Sequence, residues 1–232
     1  MCGRFVRSSP IETIAEEFEI EDGQAPEIHA RYNVCPGEEI LAVVREGGAA
    51  RLRLLRWGLV PWFAKDPAAG PRSINARAEG VAERPAFREA FRRRRCLVVA
   101  DGFYEWRKVG SAKAPYLVRL RAGRPLGLAA LWDRWAPPER APLETCTIVT
   151  CPANALVAPI HDRMPVIVPR AERRRWLDPT FADRAALSAL LRPYPAEELE
   201  VYPVSRLVNS PRNDSPECVR RIGAAPAAQG GA

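Results

Sequence analysis

The chain has 232 residues, of which 47% are hydrophobic and 27% are charged. That length accommodates one large domain or two small ones with a sizeable core, and that composition excludes a disordered or fibrous protein. Lysine and arginine number 35 against 28 aspartates and glutamates, and the net charge of +7 suits an anionic partner such as nucleic acid without requiring one.

No segment has the pattern that crosses or targets a membrane. The longest apolar runs, such as residues 96–100 and 126–132, are far shorter than the roughly 20 residues that span a bilayer. The first ten residues lack the apolar stretch of a secretory signal. We therefore expect a cytoplasmic protein with no membrane contact.

Four helices are predicted. The first begins at Pro10, with Ser9 as its N-cap and Glu12 three residues after the cap, followed by apolar residues at helical spacing. The second covers residues 85–93, with Phe87, Ala90 and Phe91 facing inward and the arginines at 92–95 facing solvent. The others lie near residues 171–177 and 182–191.

Short segments rich in branched and aromatic residues are predicted to be strands. They lie at residues 40–45, 52–57, 96–100, 116–120, 126–131, 146–150 and 165–168. Helices are inserted among them irregularly, which favours an α+β fold with a largely antiparallel or barrel-like sheet. We expect one domain up to about residue 222 and a disordered tail over 223–232, which contains only Ala, Gly, Pro and Gln.

The six cysteines include no Cys-x-x-Cys pair, so the sequence predicts no zinc site, and we expect neither a metal nor another cofactor. A reducing compartment also disfavours a disulfide framework. Cys96 and Cys146 lie in apolar segments and are interpreted as buried small hydrophobes.

Cys2 differs because of its position. If the initiator methionine is removed, which a small second residue favours, Cys2 becomes a 1,2-aminothiol. Its α-amine and thiol then have ordinary pKa values of about 8 and about 8.5. Such an amine condenses with an aldehyde to a Schiff base, and the thiol closes onto the imine carbon to give a thiazolidine. The alternative is that a cysteine at this position is incidental.

Polar residues interrupt apolar or glycine-rich contexts at residues 73–79, 100–106 and 158–165. Glu105 lies between two aromatic residues, where desolvation favours the neutral carboxyl and suits a general acid or base. His161 is one of two histidines in the chain. The alternatives are an ordinary edge-strand glutamate and a structural histidine.

Six motifs occur in the order typical of one protein family. They are MCGRF (1–5), RYNVCPG (31–37), RWGLVPW (56–62), INARAE (74–79), DGFYEW (101–106) and IHDRMP (160–165). On these residues the sequence resembles the SOS-response-associated peptidase (SRAP) family of abasic-site-processing proteins, from residue 2 to about residue 208. The expected architecture is a single α+β domain over 2–222, with a mainly antiparallel, barrel-like mixed sheet flanked by several helices.

The resemblance implies a reaction centre. Cys2 captures the ring-opened aldehyde of an abasic site in single-stranded DNA as a thiazolidine crosslink. Asn75 orients the Cys2 backbone and the open sugar, Glu105 shuttles protons, and His161 stabilises the sugar oxygen and assists reversal. Weak lyase activity through β-elimination and self-removal of Met1 are also implied.

The resemblance also implies a DNA interface. Arginines beside the reactive motifs hold phosphates, other polar residues contact the DNA backbone, and two aromatic residues stack on or wedge against bases, with core packing as the alternative for that pair. These residues are Arg4, Arg77, Arg163, Thr150, Ser205, Asn209, Trp62 and Phe63. The expected partner is single-stranded DNA with abasic sites, bound by a monomer with no obligate protein partner, and at the nucleoid when the DNA is damaged.

Two other functions use the same features. An N-terminal-nucleophile hydrolase would attack an amide with Cys2, with His161 or Glu105 as base, and would pass through a thioester. A reader of modified or damaged bases would bind abasic DNA without catalysis, and its complex would be lost entirely on denaturation.

Overall fold

A computed structural model of the chain describes residues 2–20, 26–138 and 140–223. The expected α+β class is confirmed, because short helices surround two mainly antiparallel sheets. No helix in the described ranges has both the length and the apolar content to span a membrane. The predicted tail lies outside the described residues, apart from Gly223.

Twelve strands and four α-helices occur in the described part of the chain. The strands are β1 (Phe5–Arg7), β2 (Arg31–Val34), β3 (Glu39–Glu46), β4 (Ala49–Trp57), β5 (Asn75–Arg77), β6 (Arg95–Ala100), β7 (Gly102–Val109), β8 (Ala112–Leu120), β9 (Leu126–Trp135), β10 (Leu143–Pro152), β11 (Arg163–Pro165) and β12 (Leu199–Pro203). The helices are α1 (Ile11–Phe18), α2 (Arg88–Arg93), α3 (Arg173–Leu177) and α4 (Arg184–Ala189).

The strands form a five-stranded and a seven-stranded sheet. The first has the order β12-β8-β7-β1-β2, with antiparallel neighbours throughout. The second follows β11-β10-β4-β3-β6-β9 and is ring-like, because β10 also pairs with β9. Only the pairings of β10 with β4 and β5 are parallel among the described strands.

Strand β10 has four partner strands in the second sheet. Its residues pair in succession with β9, β4, β5 and β11. Thr145, Thr147 and Thr150 on this strand are fully buried. A strand paired on both sides and covered on both faces is held rigidly, so it provides a fixed base for the short strands β5 and β11.

Alternation along β7 separates two apolar layers. Phe103 belongs to the main core, which contains residues from both sheets, and Glu105 shares its face of the strand. Tyr104 and Trp106 lie on the opposite face, against a smaller cluster. The segment 204–222, here called the C-terminal strap, covers that second face with Val204, Val208 and Cys218.

The four predicted helices are present, but the predicted capping box at the first is wrong. Pro10 is the N-cap of α1, and no side chain caps the helix. Ser9 Oγ instead donates to Asp101 Oδ1, and the Ser9 amide donates to Asp101 Oδ2 at 2.8 Å. The Ser9 hydroxyl, which the local sequence pattern assigned to the helix as a cap, therefore binds a carboxylate that is distant in sequence.

The prediction that all four arginines at 92–95 face solvent is wrong for Arg95. This residue begins β6 and is only 2% exposed. Its guanidinium donates to the carbonyls of Phe91 at 2.7 Å and Trp176 at 2.6 Å, and also to that of Asp178. It thereby satisfies carbonyl groups at the ends of α2 and α3 that the helices leave without partners.

Six of the seven predicted strands match observed strands closely. The seventh differs, because β11 ends at Pro165. The next three residues form an isolated bridge to β9, and the Val166 amide also donates to Val149 of β10. Five observed strands were not predicted, namely β1, β2, β5, β7 and β12. They are short or rich in polar residues, so their sequences lack the apolar run or the alternation of a typical strand.

Candidate active site and nucleic-acid interface

Four chain segments converge on one site. Asn75, the first residue of β5, donates from Nδ2 to the carbonyl oxygen of Cys2 at 2.8 Å. Glu105 on β7 is close enough to Cys2 and to His161 for its charge to act on both groups. The structure thus brings together all four residues that the sequence nominated for catalysis.

Strand pairing accounts for this convergence. Strand β1 runs antiparallel to β7 with Phe5 opposite Phe103, and the amide of Tyr104 donates to the carbonyl of Arg4 at 3.0 Å. This pairing brings the start of the chain alongside Glu105. Asn75 and the segment that follows His161 are held by β10 through its pairings with β5 and β11.

Cys2 is fully buried. Burial raises the pKa of its thiol far above the ordinary value, and the nearby Glu105 carboxylate adds to the shift, while the backbone amide of Arg4 opposes it. The resting group is therefore a neutral thiol rather than a thiolate. A reaction through this sulfur requires a neighbouring base to accept its proton.

Glu105 has the properties of that base. It is 3% exposed, and desolvation raises the pKa of its carboxyl while the nearby His161 acts in the opposite direction. A raised pKa moves the protonation equilibrium of a carboxyl group toward neutral pH, where it can both accept and donate a proton. The carboxyl thus suits proton transfer at Cys2.

His161 is oriented by its own loop. Its Nδ1 accepts a hydrogen bond from the amide of Arg163 at 3.0 Å and lies 2.9 Å from Asp162 Oδ1. The amide needs the lone pair of Nδ1 and the carboxylate needs a hydrogen on it, so these two contacts fix the orientation of the ring and not its tautomer. The imidazole side chain is 28% exposed, so it lies between the buried Glu105 and solvent.

The three predicted phosphate-binding arginines differ in their surroundings. Arg4 donates from Nη1 to Asn33 Oδ1 and to the carbonyl of Val208, both at 2.7 Å. Its guanidinium carbon lies 5.8 Å from the centre of the Trp106 ring. Arg77 is exposed and forms no ion pair with a described residue.

Arg163 is held by two partners. Its guanidinium pairs with both carboxylate oxygens of Glu79, and it donates to the carbonyl of Thr150 at 2.6 Å. The Thr150 side chain is fully buried, with its hydroxyl 3.4 Å from the carbonyl oxygen of Ala76. Thr150 thus supports Arg163 through its backbone carbonyl.

Trp62 and Phe63 lie on the surface, so the core-packing alternative is wrong for both. Their side chains are 61% and 50% exposed, and their rings meet edge to face with centres 5.6 Å apart. The amide of Trp62 donates to Asp133 Oδ2 at 3.0 Å, and Asp133 is itself 3% exposed. A buried carboxylate thus fixes the backbone that displays an exposed aromatic pair.

The two polar residues near the end of the chain belong to the C-terminal strap. Ser205 begins the short helix Arg206–Asn209, and its hydroxyl accepts from the amide of Leu207 at 3.2 Å. Asn209 is exposed and accepts from Trp106 Nε1 at 2.7 Å. This contact places Asn209 beside the residue that follows Glu105.

Two functional neighbours escaped the sequence reasoning. Asn33 and Glu79 lie within the motifs RYNV and INARAE, yet neither received a role. Asn33 is fully buried and holds Arg4, and Glu79 holds Arg163. A buried amide and an exposed carboxylate look ordinary in sequence, because their partners are distant along the chain.

The chain is similar to one family of known proteins. The model of the family "SOS response associated peptidase (SRAP)" matches residues 1–211. The chain belongs to the SRAP family. Abasic site processing protein YoqW of Bacillus subtilis strain 168 is 44% identical over 221 residues, covering 94% of this chain and 99% of YoqW. Abasic site processing protein YedK of Escherichia coli K12 is 32% identical, with coverage of 96% and 100%.

Solved structures share the fold seen here. A protein from Bacteroides thetaiotaomicron superposes with a TM-score of 0.86 at 25% identity, covering 95% of this chain and 100% of that one. A phage-related protein from Bordetella bronchiseptica gives a TM-score of 0.70 at 30% identity, with coverage of 88% and 94%.

Proposed function

We propose that this SRAP protein processes abasic sites in DNA, and that it does so by forming a covalent bond to the lesion through Cys2. The names of its relatives support abasic-site processing. The observation that carries the covalent step is the hydrogen bond from Asn75 to the Cys2 carbonyl, beside the buried Glu105. In this proposal Met1 is removed, by the protein itself or otherwise, so that Cys2 supplies both an amine and a thiol.

The reaction begins at the amine. An abasic sugar in its ring-opened form carries an aldehyde at C1′, and the neutral amine of Cys2 adds to that carbon. The resulting carbinolamine loses its hydroxyl as water, which requires a proton from Glu105, and a Schiff base remains. His161 donates a hydrogen bond from its imidazole ring to the sugar oxygen that ring opening releases.

The thiol completes the capture. Sulfur adds to the imine carbon, the carbon–sulfur bond closes a five-membered ring, and the thiol proton passes through Glu105 to the ring nitrogen. The sum is aldehyde plus aminothiol giving thiazolidine and one water. Asn75 contributes by fixing the Cys2 carbonyl, because a mobile chain terminus would lose part of the advantage of proximity.

The Schiff base also accounts for the proposed lyase activity. The imine acidifies the adjacent C2′ hydrogen, and its removal expels the 3′ phosphate by β-elimination. Closure of the thiazolidine competes with this loss, since it consumes the imine. We therefore expect capture to dominate and strand cleavage to be slow.

The DNA interface of the proposal combines cations with exposed aromatic rings. Arg77 is free to meet a phosphate, Arg4 and Arg163 flank the site, and Trp62 with Phe63 offers a stacking surface. Ser205 and Asn209 border the site on the strap side. The protein acts in the cytoplasm and on damaged chromosomal DNA.

The test is capture of an abasic single-stranded oligonucleotide by the purified protein. Wild type should give an adduct that survives denaturation, with a mass equal to the chain without Met1 plus the oligonucleotide minus one water. Cys2→Ser keeps the amine and loses the thiol, so it should give an adduct only after borohydride reduction. A Cys2→Ala protein that forms as much stable adduct as wild type would refute the proposal.

A further inference from the structure

The hairpin of β7 and β8 carries a group of cations that the proposed reaction does not use. Arg107 follows Glu105 by two residues on the same face of β7, about 7 Å further along the strand. Lys108 lies directly opposite Lys113 across the hairpin, on the other face of the hairpin from Arg107, and both lysines are exposed. Two of the three lysines in the chain therefore meet at the tip of the strand that carries Glu105.

Arg107 is held in place by an aromatic ring. Its guanidinium carbon lies 5.2 Å from the centre of the Tyr116 ring. Tyr116 pairs with Glu105 in the register of the two strands, and it is 8% exposed. A stacked guanidinium keeps its hydrogen-bond donors free at the ring edge and loses little further side-chain entropy on binding an anion.

These three cations lack acidic partners among the described residues. Arg119, on the same sheet, differs from Arg107 in having an acidic partner. It stacks on Tyr202 at 5.3 Å, as Arg107 stacks on Tyr116, yet it also forms an ion pair with Glu200 at 2.7 Å. The sheet therefore contains two similar stacked arginines, of which one is neutralised and the other is not.

The two lysines support the same conclusion. Like charges placed directly opposite each other across a strand pair are destabilising, and no described carboxylate offsets this pair. A polyanion laid over the hairpin would relieve that repulsion. A DNA phosphate is such an anion, and its binding would release counterions.

We propose that Arg107, Lys108 and Lys113 form a phosphate-binding strip that holds the DNA backbone beyond the captured nucleotide. The proposal rests on the proposed function, since it assumes single-stranded DNA at Glu105. Arg107 lies on the Glu105 face of the hairpin and the two lysines lie on the Trp106 face, so a DNA backbone that crosses the edge of the hairpin tip meets all three cations. It acts without base contacts, so it adds affinity and not sequence preference.

The experiment measures non-covalent binding by the full chain with Cys2→Ala. The ligand is a single-stranded oligonucleotide with a tetrahydrofuran abasic analogue, which has no aldehyde, and affinity is followed by anisotropy between about 50 and 200 mM salt. Arg107→Gln and the double variant Lys108→Gln/Lys113→Gln should bind more weakly. The slope of log affinity against log salt should fall by about 0.7 for each lost phosphate contact.

Arg119→Gln is the matched control and should leave the salt slope unchanged. Shortening the oligonucleotide from one end should abolish the difference between the strip variants and the parent, whereas shortening from the other end should not. Strip variants that bind with the affinity and slope of Arg119→Gln, while the parent binds normally, would overturn the strip alone. A parent that binds no DNA would overturn the proposed function as well.

Discussion

The buried carboxyl of Glu105 adds a pH-dependent cost to the folded state. Because burial raises its pKa, the folded protein holds this proton more tightly than the unfolded chain does. The stability associated with the protonated form is complete below the unfolded pKa and is lost as pH rises through the folded pKa. We expect Glu105→Gln to gain stability relative to wild type as pH rises from about 4 to about 8, in thermal unfolding.

Glu79 provides a control, because its contribution to stability should change with pH in the opposite direction. Its hydrogen bond to Arg163 lowers the pKa of the Glu79 carboxyl, so its contribution to stability is present above the unfolded pKa and is lost as pH falls through the folded pKa. Glu79→Gln should therefore differ most from wild type near neutral pH and least in acid. Parallel trends for the two variants would contradict the assignment of these shifts.

Alanine substitutions at Trp62 and Phe63 distinguish a role in DNA binding from a role in stability. Both are exposed, so replacing either with alanine should change the free energy of unfolding by no more than about 0.5 kcal/mol. If each ring stacks on a base, the same change should weaken single-stranded DNA binding by about 1–3 kcal/mol. Urea denaturation and anisotropy on the same samples test both statements.

A matched control for this pair is Leu54→Ala, which removes another exposed apolar side chain, 39% exposed, from strand β4. Its DNA affinity should equal that of wild type. Equal losses of affinity in Trp62→Ala and Leu54→Ala would indicate a general surface effect and not stacking.

At the scale of elements, Arg95 joins two helices to one strand. Burial lowers the pKa of its guanidinium to about 10, so the group stays charged at neutral pH and depends on backbone carbonyls for compensation. Those carbonyls come from both α2 and the end of α3. The side chain thus acts as a helix cap for two elements at once.

Arg95→Met should cost about 3 kcal/mol or more, because it leaves several buried carbonyls without donors. Arg92→Met is the appropriate control, since Arg92 is 57% exposed and its change should stay within about 0.5 kcal/mol. Urea midpoints at constant m-value measure both changes. A loss for Arg95→Met no larger than that for Arg92→Met would refute the role in joining the helices.

At the scale of the whole molecule, Asn33 connects the two ends of the described chain. Its Oδ1 accepts from Arg4, and its Nδ2 donates to the carbonyls of Ser210 at 3.0 Å and Asn213 at 2.6 Å. The N-terminal segment that carries Cys2 is therefore fastened to the C-terminal strap. Such a link keeps both segments from fraying.

Asn33→Ala should release the strap and leave the two sheets folded. We expect proteases to cut within 204–222 faster than in wild type, and the crosslinking rate to fall because Arg4 and Cys2 lose their support. Asn213→Ala removes only a side-chain bond to Leu207, and it should leave both readouts near wild type. Unchanged proteolysis in Asn33→Ala would contradict this role.

The sequence by itself determined the α+β class, the four helices, most long strands and the set of residues nominated for catalysis. Helical spacing and apolar runs report local burial, and the six motifs report shared ancestry, so both are readable without coordinates. The same is true of the position of Cys2 directly after Met1, on which the proposed aminothiol depends.

The tertiary structure alone decided the partners of polar groups. Ser9 bonds to Asp101 instead of capping α1, and Arg95 is buried instead of exposed. Each choice depends on a group far away in the chain, and the free energy of a buried hydrogen bond depends on whether that partner arrives. A local sequence pattern does not show which distant partner will lie nearby. The pairing of β1 with β7, and of β5 and β11 with β10, decides this in the fold.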